Sequence, residues 1–165
     1  MIRPAARDDC DVRYASAGMR AQVLFQGERL VHFRDQGEIV ISVGVATGSH
    51  DLAVGTQQVH VGSGIPMHRH FKMDEAFYVL EGAGHVVVDD VRREFSQGST
   101  IFIPKNTWHC FENADTELRL LWTVSPAGLD GFFRATCSPP GVAPKGLTRE
   151  QIRELALTKY DTEFR

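Results

Sequence analysis

Residues 62–82 read GSGIPMHRHFKMDEAFYVLEG, and residues 98–113 read GSTIFIPKNTWHCFEN. These two stretches decide the fold. In the first, His68 and His70 lie two apart, so on an extended strand both imidazoles face the same side. After a short turn through 71–74, Glu75 opens the apolar run Ala76 to Leu80. In the second stretch, Pro104 ends one strand, Asn106 supplies a residue tolerant of the left-handed turn, and His109 follows. Three neutral imidazoles and one carboxylate suit a divalent transition metal and would leave open positions on an octahedral ion. Gly62 and Gly82 flank the first ligand-bearing hairpin, where sharp turns need unusual backbone angles.

Outward from these blocks the chain reads as short β-rich runs separated by turn signals. Candidate strands are 23–25, 29–33, 38–45, 57–61, 65–70, 75–80, 85–88, 92–95, 100–103, 107–112 and 118–124. Asp89-Asp90 sits between two of them as a tight hairpin turn. Many short strands without long helices between them predict a closed or double-sheet all-β body. Residues 129–136 form a short helix, stopped by Ser138-Pro139-Pro140-Gly141. Thr148 with Gln151 three residues on has the pattern of a capping box, starting a second helix whose Ile152, Leu155 and Ala156 form one apolar stripe.

The two blocks resemble the paired motifs of the cupin superfamily, with Asn106 where the second motif usually has glycine. The resemblance implies a double-stranded β-helix, a jelly-roll-like barrel, with short C-terminal helices. It implies one divalent transition metal per chain (Fe, Mn, Ni or Zn), held inside by His68, His70, Glu75 and His109. The stretch from Leu121 to Leu129, followed by Phe132-Phe133, is similar to the tail of quercetinase-like single-domain cupins. The implied organisation is an N-terminal arm over 1–20, a barrel over 21–126 and a helical extension over 127–165, packed on the barrel or on a partner. A homodimer is implied as well.

A chain of 165 residues, 42% hydrophobic and 24% charged, fits one soluble domain with a real core. A formal charge of −3 carries no basic footprint for nucleic acid, and no apolar run is long enough to span a bilayer. Residues 1–19 lack the apolar segment of a secretory signal, and Cys10, Cys110 and Cys137 share no metal or disulfide spacing. A cytoplasmic protein with reduced thiols is expected.

Parity from Glu75 turns Phe77 and Val79 inward, and parity from His109 does the same for Phe111 and Asn113. Met67, Met73, Phe77, Phe102, Phe111 and Trp122 are candidates for the wall of a substrate pocket. His60 shares a strand face with Gln58 and is a candidate proton carrier; Glu75 is a candidate base as well as a ligand. The expected function is a metal-dependent enzyme acting on a small organic molecule. An oxygen-using dioxygenase comes first. The alternatives are a non-redox isomerase, lyase or cyclase, or a binder without turnover.

Overall fold

The structure, a computed structural model, describes residues 30–34, 37–113 and 115–165. The expected arm over 1–20, the expected strand over 23–25 and Cys10 lie outside the described residues. The chain runs β1 (Leu30–Arg34), β2 (Gly37–Val43), β3 (Ala53–Val59), β4 (Gly64–His70), β5 (Asp74–Glu81), β6 (Ala83–Val88) and β7 (Val91–Ser96). It continues through β8 (Thr100–Ile103), β9 (His109–Glu112), β10 (Leu118–Ser125), α1 (Leu129–Thr136), α2 (Arg149–Lys159) and β11 (Thr162–Phe164).

All pairings are antiparallel. One sheet has the order β1-β2-β3-β10-β5-β8 and the other β11-β4-β9-β6-β7. The β6–β7 hairpin closes through Asp89 and Asp90, both left-handed at φ 46° and 65°. That backbone matches the right-handed twist of the flanking strands, as a two-residue loop of this kind requires.

Alternation along each strand places one set of side chains between the sheets. Ile39, Ile41, Val59, Phe77, Val79, Leu118, Leu120, Trp122 and Val124 come from the first sheet, and Ile65, Val86, Phe95 and Phe111 from the second. Gly55 makes room for the largest of these: a Cβ there would collide with the Val40 carbonyl and the Trp122 ring. Asn113 faces inward with Phe111, and its amide donates to the main-chain oxygens of Val59 and His60.

Both C-terminal helices form where expected. Phe133 of α1 packs on Trp122 with ring centroids 5.5 Å apart, and Phe132 packs on Tyr160 and Phe164. At the start of α2 the Thr148 hydroxyl accepts from the Gln151 amide, and the Gln151 side chain accepts from Thr148 N. Of the apolar stripe, Ala156 is fully buried and Ile152 packs against the core.

The extension is not helical throughout. It ends in β11, which adds to the free edge of β4 with Thr162 opposite His70 and Phe164 opposite His68. Asp161, at φ 55°, turns the chain into that strand, and its oxygens accept from Phe71 N and Lys72 N.

Candidate metal centre

His68 and His70 project from the inner face of β4, and His109 from the first position of β9, directly opposite His68. Glu75 reaches across from β5 in the other sheet. The turn delivering His109 is fixed at two points. Asn106 takes the left-handed conformation at φ 63°, and its amide donates to the His70 carbonyl. The Lys105 amide donates to the Asp74 carboxylate, tying the same turn to the start of β5.

One donor atom from each of the four residues lies within 4.8 Å of the others. All four are buried, with His109 at 0% exposure and His68, the most exposed, at 7%. The His68 and His109 ring centroids are 4.1 Å apart. Glu75 Oε2 lies 3.2 Å from His109 Nε2 and 3.3 Å from His70 Nε2.

The outer nitrogens decide what the inner ones can do. His68 Nδ1 lies 2.7 Å from the Pro66 carbonyl, and His109 Nδ1 lies 2.9 Å from the Thr107 carbonyl. A carbonyl only accepts, so both Nδ1 atoms carry hydrogens. With Nδ1 committed in this way, Nε2 is the nitrogen left to bind a cation, which takes the place of any hydrogen that Nε2 shares with Glu75 in the metal-free site. His70 Nδ1 is held by the Thr162 hydroxyl at 2.9 Å. Its Nε2 makes no hydrogen bond in good geometry although it is buried. A buried nitrogen left without a partner beside two further imidazoles and a carboxylate fits a divalent transition ion well.

Electrostatics inside the barrel pull in two directions. Burial, with the His109 and His70 imidazoles alongside, pushes the His68 pKa well below its ordinary 6.5. For Glu75 burial works against ionisation, but the His109 hydrogen bond and the nearby His70 nitrogen win and hold the carboxyl well below its ordinary 4.5. Both shifts act on stability with one sign. The unfolded chain protonates His68 from about pH 6.5 downward where the folded one resists. Stability supplied by Glu75 is present above about pH 4.5 and is lost as pH falls toward its folded value. In both cases the unfolded state binds more protons. The denaturation midpoint of metal-free protein should therefore fall steadily as the solution is acidified below about pH 6.5. A midpoint that rose over that range would contradict the burial of neutral His68.

Residues 55–124 match the family model described as Cupin domain. The barrel has the double-stranded β-helix fold of solved cupins. A solved RmlC-like cupin from Shewanella frigidimarina has the same fold, with a TM-score of 0.59 and 24% identity over 68% of this chain and 96% of that one. The polyketide cyclase RemF from Streptomyces resistomycificus superposes with a TM-score of 0.57 at 19% identity, over 86% of this chain and 96% of that one. Among curated sequences, an uncharacterized protein of Methanocaldococcus jannaschii is 42% identical over 69 residues, 41% of this chain and 55% of that protein. The match spans about half the length of the curated relatives.

The barrel brings together the four expected ligands and turns Met73, Phe77, Phe111 and Trp122 inward. Three other expectations are corrected. Phe102 is 62% exposed: it pairs with Ala76 on the outer face of its sheet, while its neighbours Ile101 and Ile103 pair with inward Phe77 and Glu75. Met67 precedes inward His68 on β4, so it faces the other way, and its carbonyl accepts from Arg165 N. His60 is no proton carrier for the site. β3 ends at Val59, and the His60 ring stands outside against Glu117 at 3.4 Å.

Cys110 faces away from the ligands, as its strand position predicts, and partial burial raises its pKa. No helix among the described residues is long and apolar enough to cross a membrane. The residue missed by sequence reasoning is Thr162, whose only signal is a threonine in the short run Thr162-Glu163-Phe164 after a helix.

Proposed function

We propose that the protein is a mononuclear metal-dependent enzyme that takes a small organic molecule through chelating oxygens. The observation that carries this reading is the orientation of the three imidazoles. Each has its Nδ1 tied to an oxygen, which leaves Nε2 for a metal, and in His70 and His109 that nitrogen faces Glu75. A divalent transition metal bound there would act as a Lewis acid on a carbonyl or enol, and a redox-active one would add oxygen chemistry. Glu75, held ionised, serves as the fourth donor and can accept a proton from a substrate hydroxyl. Phe77, Phe111 and Trp122 keep the interior apolar, which strengthens every charge interaction within it.

We place first an oxygen-dependent dioxygenase of the quercetinase-like type. The three-histidine, one-glutamate set and the tail from Leu121 to Phe133 support it. A non-redox cyclase, isomerase or lyase is the second reading, favoured by one specific observation. The likeness to RemF, a polyketide cyclase, runs over 86% of this chain, well beyond the matched cupin region.

One experiment separates them. Protein reconstituted anaerobically with Fe(II) is given a flavonol as probe, and oxygen uptake is followed with an electrode. One metal per chain with uptake matching flavonol loss supports the dioxygenase. One metal with no uptake, but with solvent deuterium entering an enolisable probe, supports the second reading. One metal with neither event would leave a binder without turnover, and the absence of any bound metal would end the enzyme reading.

A further inference from the structure

We infer that Thr162 is a positioning residue of the metal centre: its hydroxyl holds His70 in the tautomer whose Nε2 can bind an ion. This rests on the metal centre proposed above and adds to it a part lying outside residues 55–124, where the cupin model matches.

The three histidines are not supported alike. His68 and His109 each donate to the carbonyl two residues earlier, Pro66 and Thr107, so each strand supplies its own acceptor. Among the described residues His70 has no such local acceptor for its Nδ1. Its Nδ1 instead meets the Thr162 hydroxyl, 92 positions further along the chain.

The direction of that bond is fixed by a second one. Thr162 Oγ1 also lies 2.9 Å from the Tyr160 carbonyl. A hydroxyl has one hydrogen and the carbonyl has none, so the hydrogen goes to Tyr160. Toward His70 the oxygen can then only accept, and Nδ1 must donate. The proton is thereby kept on Nδ1, and Nε2 stays unprotonated in the neutral ring.

Burial makes the arrangement consequential. Thr162 is 1% exposed and His70 2%, so no solvent stands by to replace the lost acceptor. With valine in its place the His70 ring would gain by moving its proton to Nε2, where Glu75 Oε2 waits at 3.3 Å. A protonated Nε2 cannot coordinate. The register of β11 on β4, Thr162 opposite His70, is what sets the hydroxyl at the right depth. The C-terminal strand is thus a working part of the centre rather than a cover for a sheet edge.

The test uses full-length protein, with zinc as the probe ion. Thr162→Val keeps shape and suits a strand, while Thr162→Ser keeps the hydroxyl. Zinc affinity is measured by competition with a chromophoric chelator, the denaturation midpoint is recorded for each variant, and the His70 tautomer is read by 15N NMR on metal-free protein. The expected result is a loss of about 10- to 100-fold in zinc affinity for Thr162→Val, the usual consequence of removing such a partner. Thr162→Ser should restore wild-type affinity, and the NMR should show the His70 proton moving from Nδ1 to Nε2 in the valine variant alone.

Wild-type affinity in Thr162→Val would overturn the proposal while leaving the metal centre intact. An equal loss in Thr162→Ser and Thr162→Val would assign the effect to packing and overturn it too. If wild-type protein itself bound no zinc, the metal centre would fall and this proposal with it. Should Thr162→Val prove unfolded, the serine variant and the wild-type tautomer decide: a wild-type His70 protonated at Nε2 would overturn the proposal.

Discussion

His109→Ala is expected to abolish stoichiometric metal binding while leaving a folded barrel. The imidazole is fully buried, faces His68 across the β4–β9 ladder, and hydrogen-bonds Glu75 at 3.2 Å. Its removal takes away one of four donors and also one of the interactions that keep Glu75 ionised. Losing an outer hydrogen-bond partner of a ligand costs about 10- to 100-fold in affinity, so losing the ligand itself should cost more than about 100-fold. The fold should tolerate the change, because β9 is held by ladders to β4 and β6 that do not depend on the ring. Most single substitutions cost about 0.5–3 kcal/mol, less than the usual total stability of about 5–15 kcal/mol. The check is elemental analysis of purified variant and wild type, with zinc competition and a denaturation curve on both. Full occupancy in the variant would mean that the four residues converge without binding anything.

Much of this centre was legible in the sequence because its geometry is nearly all local. His68 and His70 share a face by strand parity, and Glu75 follows one turn later. Asn106 and Pro104 announce the turn before His109. The Asp89-Asp90 hairpin and the Thr148 cap were legible for the same reason: each is settled within four residues by backbone angles or by one side-chain bond. The errors arose where contacts decide. Phe102 and Met67 are large apolar residues near the motifs, yet parity with Ile103 and His68 turns both outward. For His60, strand parity no longer holds, because it lies one residue past the end of β3, in a turn where Gly62 is left-handed at φ 73°. β11 could not be read at all. Three residues after a helix have too little periodicity to signal a strand, and their place is set by the unpaired edge of β4. Thr162 went unseen with it, since its partner lies 92 positions away.

Phe111→Ala should show the reverse of His109→Ala: a large loss of stability with metal binding kept. Phe111 lies two residues beyond His109 on the same inner face and is 1% exposed. Its ring packs edge-on against Phe77 at 4.6 Å and against Phe95 at 5.8 Å, joining the two sheets across the core. Truncating a buried phenylalanine removes its burial energy and leaves a cavity, at a cost of about 3–5 kcal/mol. Against a usual total of about 5–15 kcal/mol, that is a large share of what keeps a domain folded. The ring makes no hydrogen bond to a ligand, and the oxygens that orient His68, His70 and His109 belong to Pro66, Thr162 and Thr107. Folded Phe111→Ala should therefore still load one zinc per chain. Chemical denaturation of the two variants, each with and without saturating zinc, reads both effects together. Zinc should raise the midpoint of Phe111→Ala, because an ion that binds only the folded state stabilises it by mass action, and should leave His109→Ala unmoved. If Phe111→Ala instead lost less than about 1 kcal/mol, the ring would be lining a space rather than filling the core. Phe111 would then belong to the wall of a substrate pocket, the other role its inward position allows.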